Sequence, residues 1–233
     1  MNYHELLRDQ MAKIVGAKPL EVVVMNTLTT NLHLLMVSFY KPTKIKYKIV
    51  IESDAFPSDR YAVQSQLKFH GFSEEDLIEW KPRKGEELLR IEDLEHIISE
   101  KGDEIALLLI GGVNYYTGQF LDLPRIAEIG HSKNCKVGID LAHGAGNIQP
   151  NLHDSGVDFA AWCTYKYLNS GPEVCLVYLF MKDMLKIKTY HDFLVGGITT
   201  KQLVLICDNP LMSWKEQRAG SCRTHQYYQW QRS

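Results

Sequence analysis

Three apolar runs that scarcely alternate, Ile105–Ile110, Lys136–Asp140 and Val157–Lys166, constrain this chain more than any other feature of its sequence. A strand with one face in water alternates apolar and polar residues, so unbroken runs belong to strands covered on both faces, as in a mainly parallel sheet. Patterns of helical period at Ile91–Glu100 and around Leu123–Ile129 fall between them in βαβ rhythm. The expectation is an α/β fold with helices on both sides of a sheet. With 233 residues the chain is long enough to bury such a core.

The amino-terminal third adds further elements. Leu7, Met11, Ile14 and Val15 share one face of a helix over Tyr3–Val15, with Gly16 placed to end it. Glu21–Met25 reads as a short β-branched strand. From Asn26 the pattern turns helical through Leu28, Leu32, Leu35 and Phe39, and Pro42 lies beyond the end. Asn26-Thr27-Leu28-Thr29 therefore sits where a strand hands over to a helix, and the free amides and dipole there suit an anion; the plain alternative is an ordinary N-cap. A strand at Lys46–Ile51 leads into Phe56-Pro57-Ser58-Asp59 and a helix through Val63 and Leu67, with Ser58 as N-cap. Trp80–Glu87 reads as a solvated connector.

Two ionisable residues close apolar runs 26 positions apart, Asp140 and Lys166. Such residues at the carboxyl ends of neighbouring buried strands line the crevice where open α/β sheets bind ligands. A lysine there can form a Schiff base, and an aspartate facing it can hold a pyridinium nitrogen protonated, which is the protein's usual part in pyridoxal 5'-phosphate (PLP) chemistry. In isolation each has a plainer reading, a surface cation and a hydrogen-bonded Asp-x-x-His turn; their joint placement with an anion-binding turn favours the cofactor. The loop Gly111-Gly112-Val113-Asn114-Tyr115-Tyr116-Thr117-Gly118-Gln119 has the glycines of a tight strand-end loop. It has neither a P-loop lysine nor a G-x-G-x-x-G, which weakens nucleotide-binding readings.

Other classes are disfavoured. A formal charge of -2 gives no reason to expect nucleic acid or an anionic membrane as partner. No apolar stretch reaches the length of a membrane span, and the first residues lack the build of a signal peptide, so the expected setting is cytoplasmic. Five cysteines, with no Cys-x-x-Cys pair, are expected to be reduced and non-catalytic, and no metal site is expected.

Five blocks in order carry a resemblance to kynureninase, a fold-type-I PLP enzyme of tryptophan catabolism: Met25–Thr29, Phe56–Asp59, Tyr116–Gln119, Asp140–His143 and Trp162–Asn169. It runs from about Tyr3 to Pro172. It implies a three-layer PLP-dependent transferase-like large domain, incomplete at both ends, over residues 1–171. Lys166 resembles the Schiff-base lysine and Asp140 the partner of the ring nitrogen. Leu28 and Thr29 are similar to phosphate ligands, with Tyr165 adding a phenolic donor. Phe56 would stack on the ring within the Phe56-Pro57-Ser58-Asp59 block, Asp59 would help hold the cofactor, and His143 would sit near the pyridine edge. Gly111 stands where the family usually has a serine, which weakens one contact.

The reaction this resemblance implies begins when the substrate amine displaces Lys166, which then accepts the Cα proton while Asp140 keeps the ring nitrogen protonated. Water adds at the γ-carbonyl, and cleavage between Cβ and Cγ gives anthranilate, or its hydroxylated analogue, and alanine, a step of tryptophan catabolism and NAD biosynthesis. The resemblance implies a homodimer acting on a small-molecule substrate. Two alternatives stand beside it: another PLP enzyme of the same fold such as a cysteine desulfurase, against which Tyr165 before the lysine argues, and a catalytically dead fragment associating with a full-length subunit.

Residues 172–233 depart from the family's pattern. Read from the third base of each codon, Val195–Ile198 and Thr200–Ile206 permit Trp-Gly-His and Lys-Thr-Thr-Arg-Phe-Asn, similar to what the family has there. A frame shift near Gly171 is the expectation, with a tail that lacks the family's later cofactor contacts and whose apolar stretch Leu176–Leu185 suits either a strand or a helix packed on the rest. Met1 falls in what the family treats as the middle of its large domain.

Overall fold

The computed structural model describes residues 6–170 and 177–181. Seven strands make one sheet: β1 (Val22–Met25), β2 (Lys48–Glu52), β3 (Leu77–Trp80), β4 (Ile105–Gly111), β5 (Lys136–Asp140), β6 (Phe159–Cys163) and β7 (Val177–Met181), in the order β1-β7-β6-β5-β4-β2-β3. Strands β3, β2, β4, β5 and β6 are mutually parallel, and β7 runs antiparallel between β6 and β1. The unbroken runs thus become central strands, all six of the β4 residues Ile105–Ile110 being buried. The helices are α1 (Arg8–Val15), α2 (Leu28–Phe39), α3 (Pro57–Phe69), α4 (Ile91–Lys101), α5 (Leu123–Ser132) and the single turn α6 (Leu152–Ser155).

Successive side chains of a strand point to opposite faces, and the core divides accordingly into two layers. Val50, Leu108, Ile110, Val137, Ile139 and Trp162 pack with Ala12 and Val15 of α1, Leu94 and Ile98 of α4 and Ile126 of α5. Ile49, Ile51, Leu107, Leu109, Phe159 and Ala161 pack with Leu32, Leu35 and Phe39 of α2 and Val63 and Leu67 of α3. The sheet is therefore covered on both faces, as the runs require.

Local signals set several ends. Gly16 ends α1 at φ 64, and a Cβ there would meet the Asn151 Cα at 2.6 Å, so both conformation and space call for glycine. Asp158, just before β6, accepts hydrogen bonds from the Val137 amide (2.8 Å), His131 Nε2 (2.9 Å) and Lys136 Nζ (2.7 Å), joining the starts of β5 and β6. Burial alone would raise its carboxyl, but the hydrogen bonds from His131 and Lys136 outweigh it and hold it below the usual range.

Three sequence expectations need correction. Trp80 closes the edge strand β3 and is fully buried, its indole Nε1–H donating to the Arg90 carbonyl at 3.1 Å, so the connector begins after it. A four-residue strand followed by charged residues carries too little periodicity to separate from a loop. Phe56 takes the N-cap position of α3 and Pro57 its first turn, which leaves Ser58 inside the helix with its hydroxyl 3.4 Å from Asp59 Oδ1. Strand β6 ends at Cys163, so Lys166 stands in the following turn. Strand β7 lies beyond Gly171, within the apolar stretch Leu176–Leu185, and pairs with both β1 and β6. The rest of the tail, with its expected frame shift, and the first residues of the expected first helix lie outside the described residues.

Gly138 provides a stability test. Phe159, from the adjacent strand, lies across it, with its Cζ 2.1 Å from where a Cβ would be, and the Phe39 ring backs Phe159 at 4.9 Å between centroids. Overpacking of this kind costs about 1–3 kcal/mol. Gly138→Ala is expected to lower the unfolding free energy by that amount, read as a lower urea midpoint with an unchanged m-value, and a midpoint equal to that of the parent contradicts the packing described.

Candidate active site

Parallel pairing places the carboxyl ends of β2, β4, β5 and β6 on one side of the sheet, and the chain leaves each strand there with a polar or small residue. Glu52 ends β2, Gly111 ends β4 and Asp140 ends β5, with Gly111 opposite Asp140 in register. Together with the turn after β6 and the starts of α2 and α3 they enclose a cavity of about 450 Å³. Its lining contains Leu28, Thr29, Phe56, Ser58, Asp59, Gly111, Asp140, His143, Tyr165 and Lys166. Of the residues singled out from sequence only Pro57 is absent from that wall. It fixes the first turn of α3.

One side of the cavity is acidic. Asp140 is 8% exposed and its Oδ1 accepts from the Ala142 amide at 2.7 Å, which fixes its rotamer. Asp59, in the first turn of α3 and 6% exposed, is pushed far up by burial, then by the charge of Asp140 and by a hydrogen bond between the two carboxyls, with Glu52 adding to the effect. A carboxyl raised in this way keeps its proton at neutral pH. Glu52 is pushed up from 4.5 to about 7 by burial, opposed by backbone hydrogen bonds and reinforced by the charges of Asp140 and Asp54.

The opposite side carries the bases. Lys166 Nζ lies 2.9 Å from His143 Nε2 and 5.6 Å from the centroid of the Phe56 ring. His143 Nδ1 in turn lies 3.0 Å from the Tyr167 hydroxyl. Burial, then the neighbouring Lys166, lowers the His143 pKa, so the ring is neutral; the Nε2 acceptor then faces Lys166 and the Nδ1–H donates to Tyr167. The result is a hydrogen-bonded line from Lys166 through His143 to Tyr167, which is 39% exposed.

The third wall is the start of α2. Asn26 turns the chain at φ 38, and Asn31 Nδ2 donates to the Met25 carbonyl at 2.9 Å, fastening β1 to the helix. The first backbone bond of the helix is Asn31 N–H to the Thr27 carbonyl (2.9 Å), so the amides of Leu28, Thr29 and Thr30 precede the ladder and point out of its end. Phe56 projects from the start of α3, 42% exposed, with the Tyr115 ring edge-on at 5.2 Å. Tyr115 is held by its loop, in which Asn114 Oδ1 accepts from the amides of Tyr116 (2.9 Å) and Thr117 (3.0 Å).

Sequence reading missed Glu52, Tyr115 and Tyr167. Glu52 carried the same signal as Asp140, an ionisable residue closing an apolar strand, but the strand was ended one residue early. Gly111 has a spatial reason of its own, since a Cβ there would stand 2.6 Å from Glu52 Oε1. Among the described residues no group of His, Cys, Asp and Glu suits a metal ion, and no helix is long and apolar enough to cross a membrane. Cys135 and Cys163 are free and buried; the other cysteines lie outside the described residues.

The fold is shared with PLP-enzyme structures. The apo structure of a cysteine desulfurase from Thermococcus onnurineus superposes with a TM-score of 0.70 at 22% identity, over 83% of this chain and 46% of that one. The cysteine desulfurase CsdA from Escherichia coli gives 0.68 at 19% identity, over 83% and 46%. The family model of class-V aminotransferases matches residues 1–227, and the chain belongs to that family, whose members depend on PLP. Proteins named kynureninase are similar at much higher identity. The one from Myxococcus xanthus is 60% identical over 173 residues, and that from Flavobacterium psychrophilum 62% over 172. These matches take in 74% and 73% of this chain but only 41% and 40% of those relatives, so the chain spans about two fifths of their length.

Glu52 makes the stability of the cofactor-free protein depend on pH. A carboxyl whose folded pKa is raised binds more protons in the folded state than in the unfolded one between the two values, so stability falls as pH rises through that window. Between 4.5 and about 7 the loss is about 3 kcal/mol from this group. In thermal melts from pH 4 to 8, Glu52→Gln is expected to flatten this slope and to gain on the parent above pH 7. Parallel curves for the two proteins contradict the assignment.

Proposed function

We propose that this chain carries the PLP site of a kynureninase, with residues 1–171 as its incomplete large domain, and that the reaction it serves is the hydrolytic cleavage of L-kynurenine or 3-hydroxykynurenine to anthranilate or 3-hydroxyanthranilate and alanine. Identity near 60% to proteins of that name, over about 170 residues, is the observation that carries this reading. The family resemblance also supports the setting in which we place it, a cytoplasmic homodimer acting on a small molecule in tryptophan catabolism.

The cavity fits the cofactor on its own chemistry. Carboxyls gather on one wall, where burial first and neighbouring charge second push Asp59 and Glu52 up, and such a wall favours a cationic partner such as a protonated pyridine nitrogen. The open end of α2 offers amides and the Thr29 hydroxyl to a phosphate, with the Tyr165 phenol across the cavity. Phe56 offers a flat apolar face. When bound, PLP supplies an aldehyde that condenses with amines and a ring that accepts the electron pair of an adjacent carbanion.

The chain's own residues supply binding and proton handling. Lys166 provides the amine, and its hydrogen bond to a neutral imidazole gives its proton somewhere to go at Nε2. The His143–Tyr167 contact leads that path toward the surface. Asp140, its rotamer fixed by the Ala142 amide, would pair with the ring nitrogen and hold its proton there. Phe56 and Tyr115 limit water on one side of the cavity.

Adding PLP to the purified chain tests this. A visible absorption band that requires Lys166 is expected, with Lys166→Ala removing the band and lowering kynurenine turnover by about a thousandfold, the scale of losing a base and nucleophile together. A band that survives in Lys166→Ala, or turnover of cysteine in place of kynurenine, overturns the proposal.

A further inference from the structure

The carboxyl of Glu52 plays no part in the family-derived account, yet it is among the most deeply buried polar groups of the cavity wall. Only 4% of the residue is exposed. Its Oε1 accepts from the Gly111 amide at 2.9 Å, so the end of β2 grips the end of β4. Its Oε2 is buried with no hydrogen-bond partner. A buried carboxylate oxygen left unpaired costs as much as a lost charged hydrogen bond, and a fold keeps one only where something else satisfies it.

The surroundings define what that something is. Asp59 on α3, Asp140 on β5 and Asp54 in the turn after β2 bring carboxylates toward Glu52 from three directions. Among the described residues, no ion pair reaches Glu52, Asp59 or Asp140. The cavity's base, Lys166, is engaged with His143 on the other side, and His143 is uncharged. The acidic wall is thus neutralised within the protein by bound protons rather than by side-chain cations, and a ligand with a cationic end can take their place.

We infer that Glu52 is a further positioning residue of this site: anchored on the Gly111 amide, it adds a second negative charge behind that of Asp140 and so favours the protonated, cationic form of the bound ring nitrogen. The inference rests on reading the cavity as a PLP site. It also gives Gly111 a reason, because the space for a side chain there is already filled by Glu52 Oε1 at 2.6 Å. Glu52 acts through the neighbouring aspartates, by charge.

Equilibrium dialysis of PLP against the full chain in a Lys166→Ala background, where no covalent link forms, measures the effect. Glu52→Gln keeps a carbonyl oxygen for Gly111 and nearly the same volume while removing the charge. Its dissociation constant is expected to be about tenfold higher than the parent's at pH 8, the scale of one partly shielded charge interaction, and to converge on it at pH 6, where protonation leaves Glu52 of the empty parent as uncharged as the glutamine. A phosphorylated analogue with a benzene ring in place of pyridine is expected to bind parent and variant alike. Equal affinity for PLP at both pH values overturns the role of Glu52 alone, as does an equal loss for both ligands, which would mark a purely structural residue. Failure of the parent to bind PLP at either pH overturns the cofactor reading and this inference together.

Discussion

The parallel pairing of β2, β4, β5 and β6 is the constraint on which the rest depends. Parallel neighbours bring their carboxyl ends to the same edge of the sheet, and the register that sets Gly111 beside Asp140, and Asp140 beside Ala161, leaves no freedom in where those ends lie. Glu52, Gly111, Asp140 and the turn bearing Lys166 are far apart in the chain and adjacent in space for that reason. Helices α2 and α3 then close the crevice with their amino-terminal ends, one presenting amides and the other Asp59 and Phe56.

Within that frame the two sides of the cavity differ in what they need. The acidic wall holds carboxyls, Asp59 and Glu52, that burial and then neighbouring charge drive toward their neutral forms. The basic side has already found its partners in the Lys166–His143–Tyr167 line. A planar ligand with a cationic end, a phosphate and a reactive carbonyl satisfies all three walls at once. The site is thus organised by buried carboxyls on one side and by a proton path on the other.

Much of this was legible in the sequence, and the reasons are physical. Ile105–Ile110 and Lys136–Asp140 are apolar at nearly every position because both faces of their strands are covered, so their strand character and parallel setting could be read directly. Asp140 and Lys166 stood out because charge at the end of such a run has no structural excuse. Trp80 and the β3 strand were hidden by brevity and by the charged residues that follow. The Ser58 cap was misplaced because Pro57 dictates the first turn by its fixed φ, and that overrides the preference of serine for the cap. Glu52 escaped because its significance lies in an unpaired oxygen and in neighbours from other strands, which no local pattern encodes.

The account's central claim is that Lys166 and the acidic wall meet a single ring. Reducing the PLP-loaded chain with borohydride and mapping the modified peptide by mass spectrometry tests it most directly. The account predicts one phosphopyridoxyl group, on Lys166, in the peptide from the turn after β6, with its yield sharply reduced in Asp140→Ala. Modification spread over surface lysines, or a yield at Lys166 indifferent to Asp140, would contradict it.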